Sequence, residues 1–315
     1  MNKQKPIFLL LFLMMLIMLL ISSCTKSKNK ELDIVINNTE IVSKVEQDTK
    51  PFKIALATGI SPESNIEYYW ALVKFIENQL GRKVEIVQRQ NYAEINYLLS
   101  LNLVDVALIC SSSYLLAKED FNIELLVVPK IYGEYNYQSY IIVKESSEIR
   151  EFAQLKDKRF AFSDPMSTTG YYYPAYRITE YGSNPHDFFS RFFFSYSHDN
   201  SIYAVLNGLA DGAAIDSTVY YKVIKNNPEI SKNIRIIEKS PKFMNSPIVA
   251  RSNLDENLKE EFIKLFLSVN ENENFKNIFA KFDIEGYKVE PNPEKSYENV
   301  YQLINEVREK YENNL

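Results

Sequence analysis

Histidine and cysteine are scarce, two of each in 315 residues, and that scarcity sets limits before any motif is read. Metal clusters and Ser-His or Cys-His relays are built from these side chains. The sequence also lacks a Walker loop, a His-x-x-x-His pair, a CxxC pair and a Gly-x-Ser-x-Gly elbow. No catalytic residue, metal site or cofactor is therefore expected. An excess of basic charge is missing as well: 36 Lys and Arg stand against 41 Asp and Glu, a formal net charge of −5. Nucleic acid is not an expected partner. The one long apolar run, residues 7–21, follows Lys3 and Lys5. It falls short of the roughly 20 residues that cross a bilayer as a helix, and it reads as a signal peptide over residues 1–23.

The run ends in Ile21-Ser22-Ser23-Cys24, which resembles the lipobox cut by the lipoprotein signal peptidase; a plain secretory signal with a chance cysteine is the alternative. Cleavage there makes Cys24 the acylated first residue of a mature chain in the cell envelope, outside the cytoplasmic membrane. Acyl chains hold such a chain to a membrane with about 0.8 kcal/mol per buried methylene. Cys110 then has no disulfide partner, so stability must come from the core. Losing Lys3 and Lys5 takes the net charge from −5 to −7. Residues 24–50, polar and without periodicity, read as a flexible tether that Pro51 ends.

From Phe52 onward short β-type runs alternate with amphipathic helical stretches, the pattern of an α/β protein with mainly parallel sheets. Strands are expected at 53–57, 84–87, 105–109, 124–128, 140–143, 159–162, 192–195, 212–215, 234–237 and 248–251. Helices are expected at 65–80, 92–101, 202–209, 256–269, 273–282 and 296–311. The division that follows is two lobes, the first from residues 51–137 and 247–315 and the second from 138–246, joined by two crossings. A cleft between such lobes receives strand C-termini and helix N-termini from both sides.

Three segments lie where strands meet helices. Ser163-Asp164-Pro165-Met166-Ser167-Thr168-Thr169-Gly170 offers consecutive hydroxyls and amides at a helix start, an anion nest by composition, although a plain helix cap has the same residues. Tyr196-Ser197-His198-Asp199-Asn200-Ser201 puts one of the two histidines at a turn, where it can donate to an oxyanion. Ala210-Asp211-Gly212-Ala213-Ala214-Ile215-Asp216-Ser217 ends a strand in a carboxylate. That carboxylate either accepts from a protonated P–OH or caps the next helix. His186, in a polar turn, reads as structural.

In this order and spacing the segments resemble the phosphonate, phosphite and phosphate binding proteins of ABC importers, the PhnD-like group of the type II periplasmic binding proteins. Thr169 replaces the group's third hydroxyl and Ser197 its usual glycine. The resemblance implies that Ser167, Thr168 and Thr169 with His198 hold a small phosphorus oxyanion. It also implies that Tyr92 closes on the ligand from the first lobe and that Tyr137 lies near the hinge. Asp216 stands where members selective for small oxyanions carry an aspartate. Members that hold aminoethylphosphonate have carboxylates at the positions matching Thr218 and Ser246, and neither is acidic here. The implied partners are an ABC permease with its ATPase and, through Cys24, a membrane; the chain is expected to be a monomer. The same fold could instead serve as a sensor lipoprotein reporting to a membrane receptor.

Overall fold

The computed structural model describes residues 50–57, 59 and 62–312. The expected signal peptide, Cys24 and all of the tether except Lys50 lie outside the described residues. Among the described residues no helix is long and apolar enough to cross a membrane.

The strands are β1 (Phe52–Ala57), β2 (Val84–Arg89), β3 (Val106–Leu108), β4 (Ile123–Ile131), β5 (Asn136–Tyr137), β6 (Ser139–Lys144), β7 (Arg159–Phe162), β8 (Arg191–Phe194), β9 (Gly212–Asp216), β10 (Ile234–Lys239), β11 (Phe243–Met244), β12 (Ile248–Arg251) and β13 (Ile284–Lys288). They form one sheet in the order β13-β4-β12-β3-β1-β2 and another in the order β10-β6-β9-β7-β8. Alternation decides what each face buries. In β1, Phe52, Ile54 and Leu56 join the core under helices Pro62–Leu80 and Glu256–Leu267, while Ala55 joins Tyr92 and Leu99 on the opposite face. In β6, Ile141 and Val143 face one cluster and Tyr140 and Ile142 the other. Strands buried on both faces read as the continuous apolar runs seen in the sequence.

The sheets are mixed, which corrects the expectation of mainly parallel ones. Only β1 with β2 and β3, and β7 with β8 and β9, pair in parallel. In the first sheet β12, returning from the second, inserts antiparallel between β3 and β4. The two crossings pair with each other, Phe243 with Tyr137 and Met244 with Asn136, as a short antiparallel ribbon. Strand β13 was not anticipated. It runs antiparallel to β4 at the sheet edge, and its sequence IEGYK has too little alternation to stand out.

The last helix, Glu298–Glu312, departs from the expected division. Its stripe of Val300, Leu303, Ile304 and Val307 packs with Val143, Phe152, Phe160 and Phe188 of the second sheet's core. A stripe at this spacing must be covered, and the other two C-terminal helices already cover the first sheet. Tyr297, just before it, remains in the first lobe, where its hydroxyl donates to Asn245 O at 2.9 Å. Ile304 is 2% exposed, so Ile304→Ala should cost about 2–5 kcal/mol. Urea unfolding of the variant checks this; a loss under about 0.5 kcal/mol, the range of surface substitutions, would mean that the helix does not carry that core.

Candidate functional site

Between the two sheets, five helical segments begin at one place. They are the helices Tyr92–Ser100, Ser111–Phe121, His198–Leu206 and Ser217–Asn226, and the π turn Thr168–Tyr172 that continues into Tyr173–Thr179. The first turn of each leaves N–H groups without an intrahelical acceptor, and the dipoles place partial positive charge at the same ends. The sequence makes these starts with caps: Asn91, Ser167, Ser197 and Asp216 each accept an N–H of the turn they head.

Ser167 Oγ accepts from Gly170 N at 3.0 Å, so the side chain is a cap. The turn above it closes as a π turn, with Tyr172 N donating to Ser167 O at 3.0 Å. Thr168 Oγ1 accepts from Ser112 N at 2.8 Å and donates to Ser112 Oγ at 2.9 Å, across to the first lobe. Thr169 is buried and its carbonyl accepts from Ser139 Oγ at 2.6 Å. Gly170 is required: a Cβ there would lie 1.7 Å from Ser163 Oγ and 3.0 Å from His198 Cε1. The hydroxyl of Ser163, 1% exposed, has no hydrogen-bond partner among the described residues.

His198 is the first residue of its helix and not the turn before it, because Ser197 caps at that point, accepting from Asn200 N at 3.4 Å. Its Nδ1 accepts from Asp216 N at 3.1 Å, and its own N–H donates to Gly59 O at 3.0 Å. An imidazole whose Nδ1 accepts carries its proton on Nε2. Burial pushes its pKa down to about 4, against a smaller upward pull from Asp199, so the ring is a neutral donor. Asp216 Oδ1 accepts from Thr218 N at 2.6 Å and Thr218 Oγ1 at 2.7 Å. Burial raises its carboxyl to about 6 against those bonds.

Tyr137 and Tyr92 come together with these groups. Tyr137 Oη shares a 3.1 Å hydrogen bond with Ser111 Oγ, and Tyr92 Oη sits over Gly59, 3.3 Å from where a Cβ would stand. Burial first, and then Cys110, hold both phenols well above their ordinary range; Cys110 itself is pushed up to about 11 by burial. All seven residues expected at the site, Ser167, Thr168, Thr169, His198, Asp216, Tyr92 and Tyr137, lie at this meeting point, and the hydrogen bonds described for them involve no lysine or arginine side chain. His186 is elsewhere, exposed, with its ring edge-on to Phe192 at 4.9 Å.

Two participants were missed in the sequence. Asp164 spans the lobes: Oδ1 accepts from Met166 N at 2.7 Å and Oδ2 from Tyr92 N at 3.2 Å, and burial raises it to about 6. Ser111, Ser112 and Ser113 are all buried at the start of their helix. The signal was there, since a strand followed by three hydroxyls and a helix repeats the pattern of residues 163–170.

The titrations have opposite signs. Stability tied to neutral His198 is present above pH 6.5 and lost as pH falls through 4; that tied to protonated Asp164 and Asp216 is present at low pH and lost as pH rises through 6. His198→Gln removes the first alone. The difference in unfolding free energy between the native protein and this variant should shift against the native protein by about 3 kcal/mol, at 1.36 kcal/mol per pKa unit, between pH 7 and pH 4. Urea titrations at a series of pH values read it, and a pH-independent difference would show that the imidazole is not held neutral.

Residues 54–292 match the family described as ABC transporter, phosphonate, periplasmic substrate-binding protein. The chain is 30% identical over 217 residues to the phosphonates-binding periplasmic protein of Escherichia coli K12, covering 66% of this chain and 64% of that one. It is 29% identical over 169 residues, 51% of this chain and 57% of the other, to a probable ABC transporter phosphite binding protein of Prochlorococcus marinus. The chain thus spans 64% and 57% of the lengths of these two relatives. In fold it is similar to a binding protein component of an ABC phosphonate transporter from Pseudomonas aeruginosa, with a TM-score of 0.77 at 22% identity over 83% of this chain and 88% of that one. A Prochlorococcus marinus protein solved with methylphosphonate gives a TM-score of 0.73 at 22% identity, over 82% and 98%. The architecture is that of a type II periplasmic binding protein, and the chain belongs to the family of phosphonate substrate-binding proteins of ABC transporters.

Proposed function

We propose that this chain is the solute-binding subunit of an ABC importer and not an enzyme, and that it holds a small phosphorus oxyanion, namely phosphite, methylphosphonate or phosphate, between its lobes. The observation that carries the reading is the meeting of five helix starts around a histidine held as a neutral Nε2–H donor. Such a place is suited to an anion. The names of the relatives, phosphonates-binding and phosphite-binding, favour phosphorus among the oxyanions. The family's description places its members in the periplasm. The signal peptide at residues 1–23, acylation of Cys24 and the permease and ATPase partners complete the reading on sequence grounds.

The second lobe receives the anion through the amides of Thr168 and Thr169, the hydroxyl of Ser163 and Nε2 of His198. Hinge motion brings the first lobe's helix starts and Tyr92 over it. Charge-assisted bonds of about 1.5–3 kcal/mol each, offset by desolvation and ordering, suffice for micromolar or tighter affinity. Asp216, with one oxygen committed to Thr218, presents the other to a P–OH and holds one proton with the ligand.

A thermal shift of the full chain against phosphate, phosphite, methylphosphonate and sulfate tests the class. A ligand at 100 times its dissociation constant adds about 2.7 kcal/mol, so a rise with a phosphorus oxyanion and none with sulfate is expected. In the variant His198→Ala that rise should be lost or much reduced while the protein remains folded. No shift with any phosphorus oxyanion, or an unaltered shift in the variant, would overturn the reading.

The shared proton gives a second outcome. With the Asp216 carboxyl raised to about 6 by burial, affinity for methylphosphonate should fall as pH rises from 6 to 9 and both partners ionise. Asp216→Asn should flatten that dependence in calorimetric titrations. A variant that keeps the native slope would remove Asp216 from the ligand.

A further inference from the structure

One helix of the second lobe carries both a part of the site and a contact to the first lobe. Asp216 caps the start of the helix Ser217–Asn226, and Tyr221 and Lys225, four residues apart, share a face further along it. The ring of Tyr221, 40% exposed, meets that of Tyr132 of the first lobe edge-on at 5.5 Å. Lys225 Nζ donates to Asp283 Oδ1 at 2.6 Å, again in the first lobe. An exposed ion pair is weak by itself, but these two contacts stand together at one place. Tyr132, Tyr221 and Lys225 wall a groove of about 680 Å³ that runs in from exposed Glu134 and Lys242 to Ser217 and Thr218, the residues that follow Asp216.

The first-lobe half of this contact is fixed before the second arrives. Tyr132 has φ +48°, in the left-handed region that a residue with a side chain seldom adopts and that persists only where the surroundings impose it. Here they do: Tyr132 N donates to Asp283 O at 3.2 Å and Tyr132 Oη to Asp283 Oδ2 at 2.9 Å, while the adjoining Ile131 and Ile284 pair between β4 and β13. With Oδ2 taken, Asp283 presents Oδ1 to the second lobe. On that side Tyr221 Oη shares a 2.9 Å hydrogen bond with Tyr140 Oη, which holds the ring in place. Lys222, on the same helix as Lys225, also feels the charge of Asp283, so the carboxylate attracts two ammonium groups.

We propose that Tyr132 and Asp283 of the first lobe and Tyr221 and Lys225 of the second form a latch across this groove, and that the four are positioning residues which set how long the closed cleft retains its ligand. They act through closure and not through contact with the anion. Because Asp216 heads the helix that bears Tyr221 and Lys225, closing over the anion and closing the latch are one motion of one rigid element. The retention of ligand rests on the oxyanion reading above; the latch between the lobes does not. A contact made after encounter alters dissociation more than association.

Stopped-flow tyrosine fluorescence of the full chain with methylphosphonate, and small-angle scattering without ligand, test it. Asp283→Asn keeps an oxygen for Tyr132 Oη and removes the charge; Lys225→Gln removes the opposite charge. Each should release methylphosphonate about threefold to fivefold faster than the native protein, the range of a partly exposed pair, with association changed by less than about twofold. The double variant should be no faster than the faster single one, since both break the same contact. Raising sodium chloride from about 0.05 to about 0.5 M should speed release from the native protein more than from the double variant. Glu134→Gln breaks a different exposed pair, with Lys242 at 3.0 Å, and should release at the native rate. Without ligand, Asp283→Asn should have a larger radius of gyration than the native protein. Equal radii, native release rates in both single variants, or the same acceleration in Glu134→Gln would overturn the latch. Failure of methylphosphonate, phosphite and phosphate all to bind the native protein would overturn the oxyanion reading, and the ligand-free radii would then decide the latch alone.

Discussion

Helices that begin together leave their unsatisfied amides together, and most of what surrounds the cleft follows from that. Tyr92, Ser111, Thr168 and His198 are each the first residue of a helical segment, and Asp216 caps another. Buried N–H groups need acceptors. The protein supplies some internally, as Asp164 does for Tyr92 and Gly59 O does for His198, and each such bond ties one lobe to the other. The two lobes are therefore tied by the same class of group that suits the place to an anion. Neutral donors also explain the titrations. With burial dominating, His198 stays uncharged and the carboxyls of Asp164 and Asp216 are raised to about 6, so the site is held by oriented dipoles and not by a fixed cation.

The interlobe bonds include Ser112 with Thr168 and with Met166 O, Cys110 Sγ with Met166 O at 3.1 Å, Asp164 with Tyr92, His198 with Gly59, and the ion pair of Lys225 Nζ with Asp283 Oδ1 at 2.6 Å. At about 0.5–1.5 kcal/mol net apiece, none of the neutral bonds alone holds the lobes together. The last helix complicates the picture of two independent bodies: it carries its apolar stripe on the second lobe while Tyr297, at its start, is tied to Asn245 O in the first.

The strands and most of the helices were legible in the sequence because β1, β4, β6, β7, β9 and β12 are short apolar runs bounded by polar turns, and the helices have clear stripes. Strand direction was not legible, since direction depends on where the chain re-enters a sheet and β12 enters between β3 and β4. Nor was the partner of residues 298–312, because an amphipathic stripe says that a face is buried without saying against what. At the site, the hydroxyl-rich start at Ser167 and the lone histidine were legible through their residue types. The role of Asp164 was not legible, because it becomes an acceptor only when Tyr92 N arrives from 72 residues away. The choice between cap and ligand readings for Ser167 and Asp216 turned on side-chain direction. Both are caps in the folded chain, while the Ser163 hydroxyl has no partner among the described residues.

A site made of amides is only as good as the rigidity of the backbone that bears them. Here the second lobe supplies it with aromatic rings. Phe162, the last residue of β7 before Ser163, lies 5.8 Å from the ring of Phe189 and 5.6 Å from that of Phe194, and Phe160 stacks on Phe189 at 4.4 Å. Such contacts add to area burial by about 0.5–1.5 kcal/mol each, and they fix the strand end from which the nest turns. Gly170 completes the argument from the other side. The backbone there approaches Ser163 and His198 so closely that no Cβ fits, which means that the distance between hydroxyl, imidazole and amides is set by packing and not by flexible side chains.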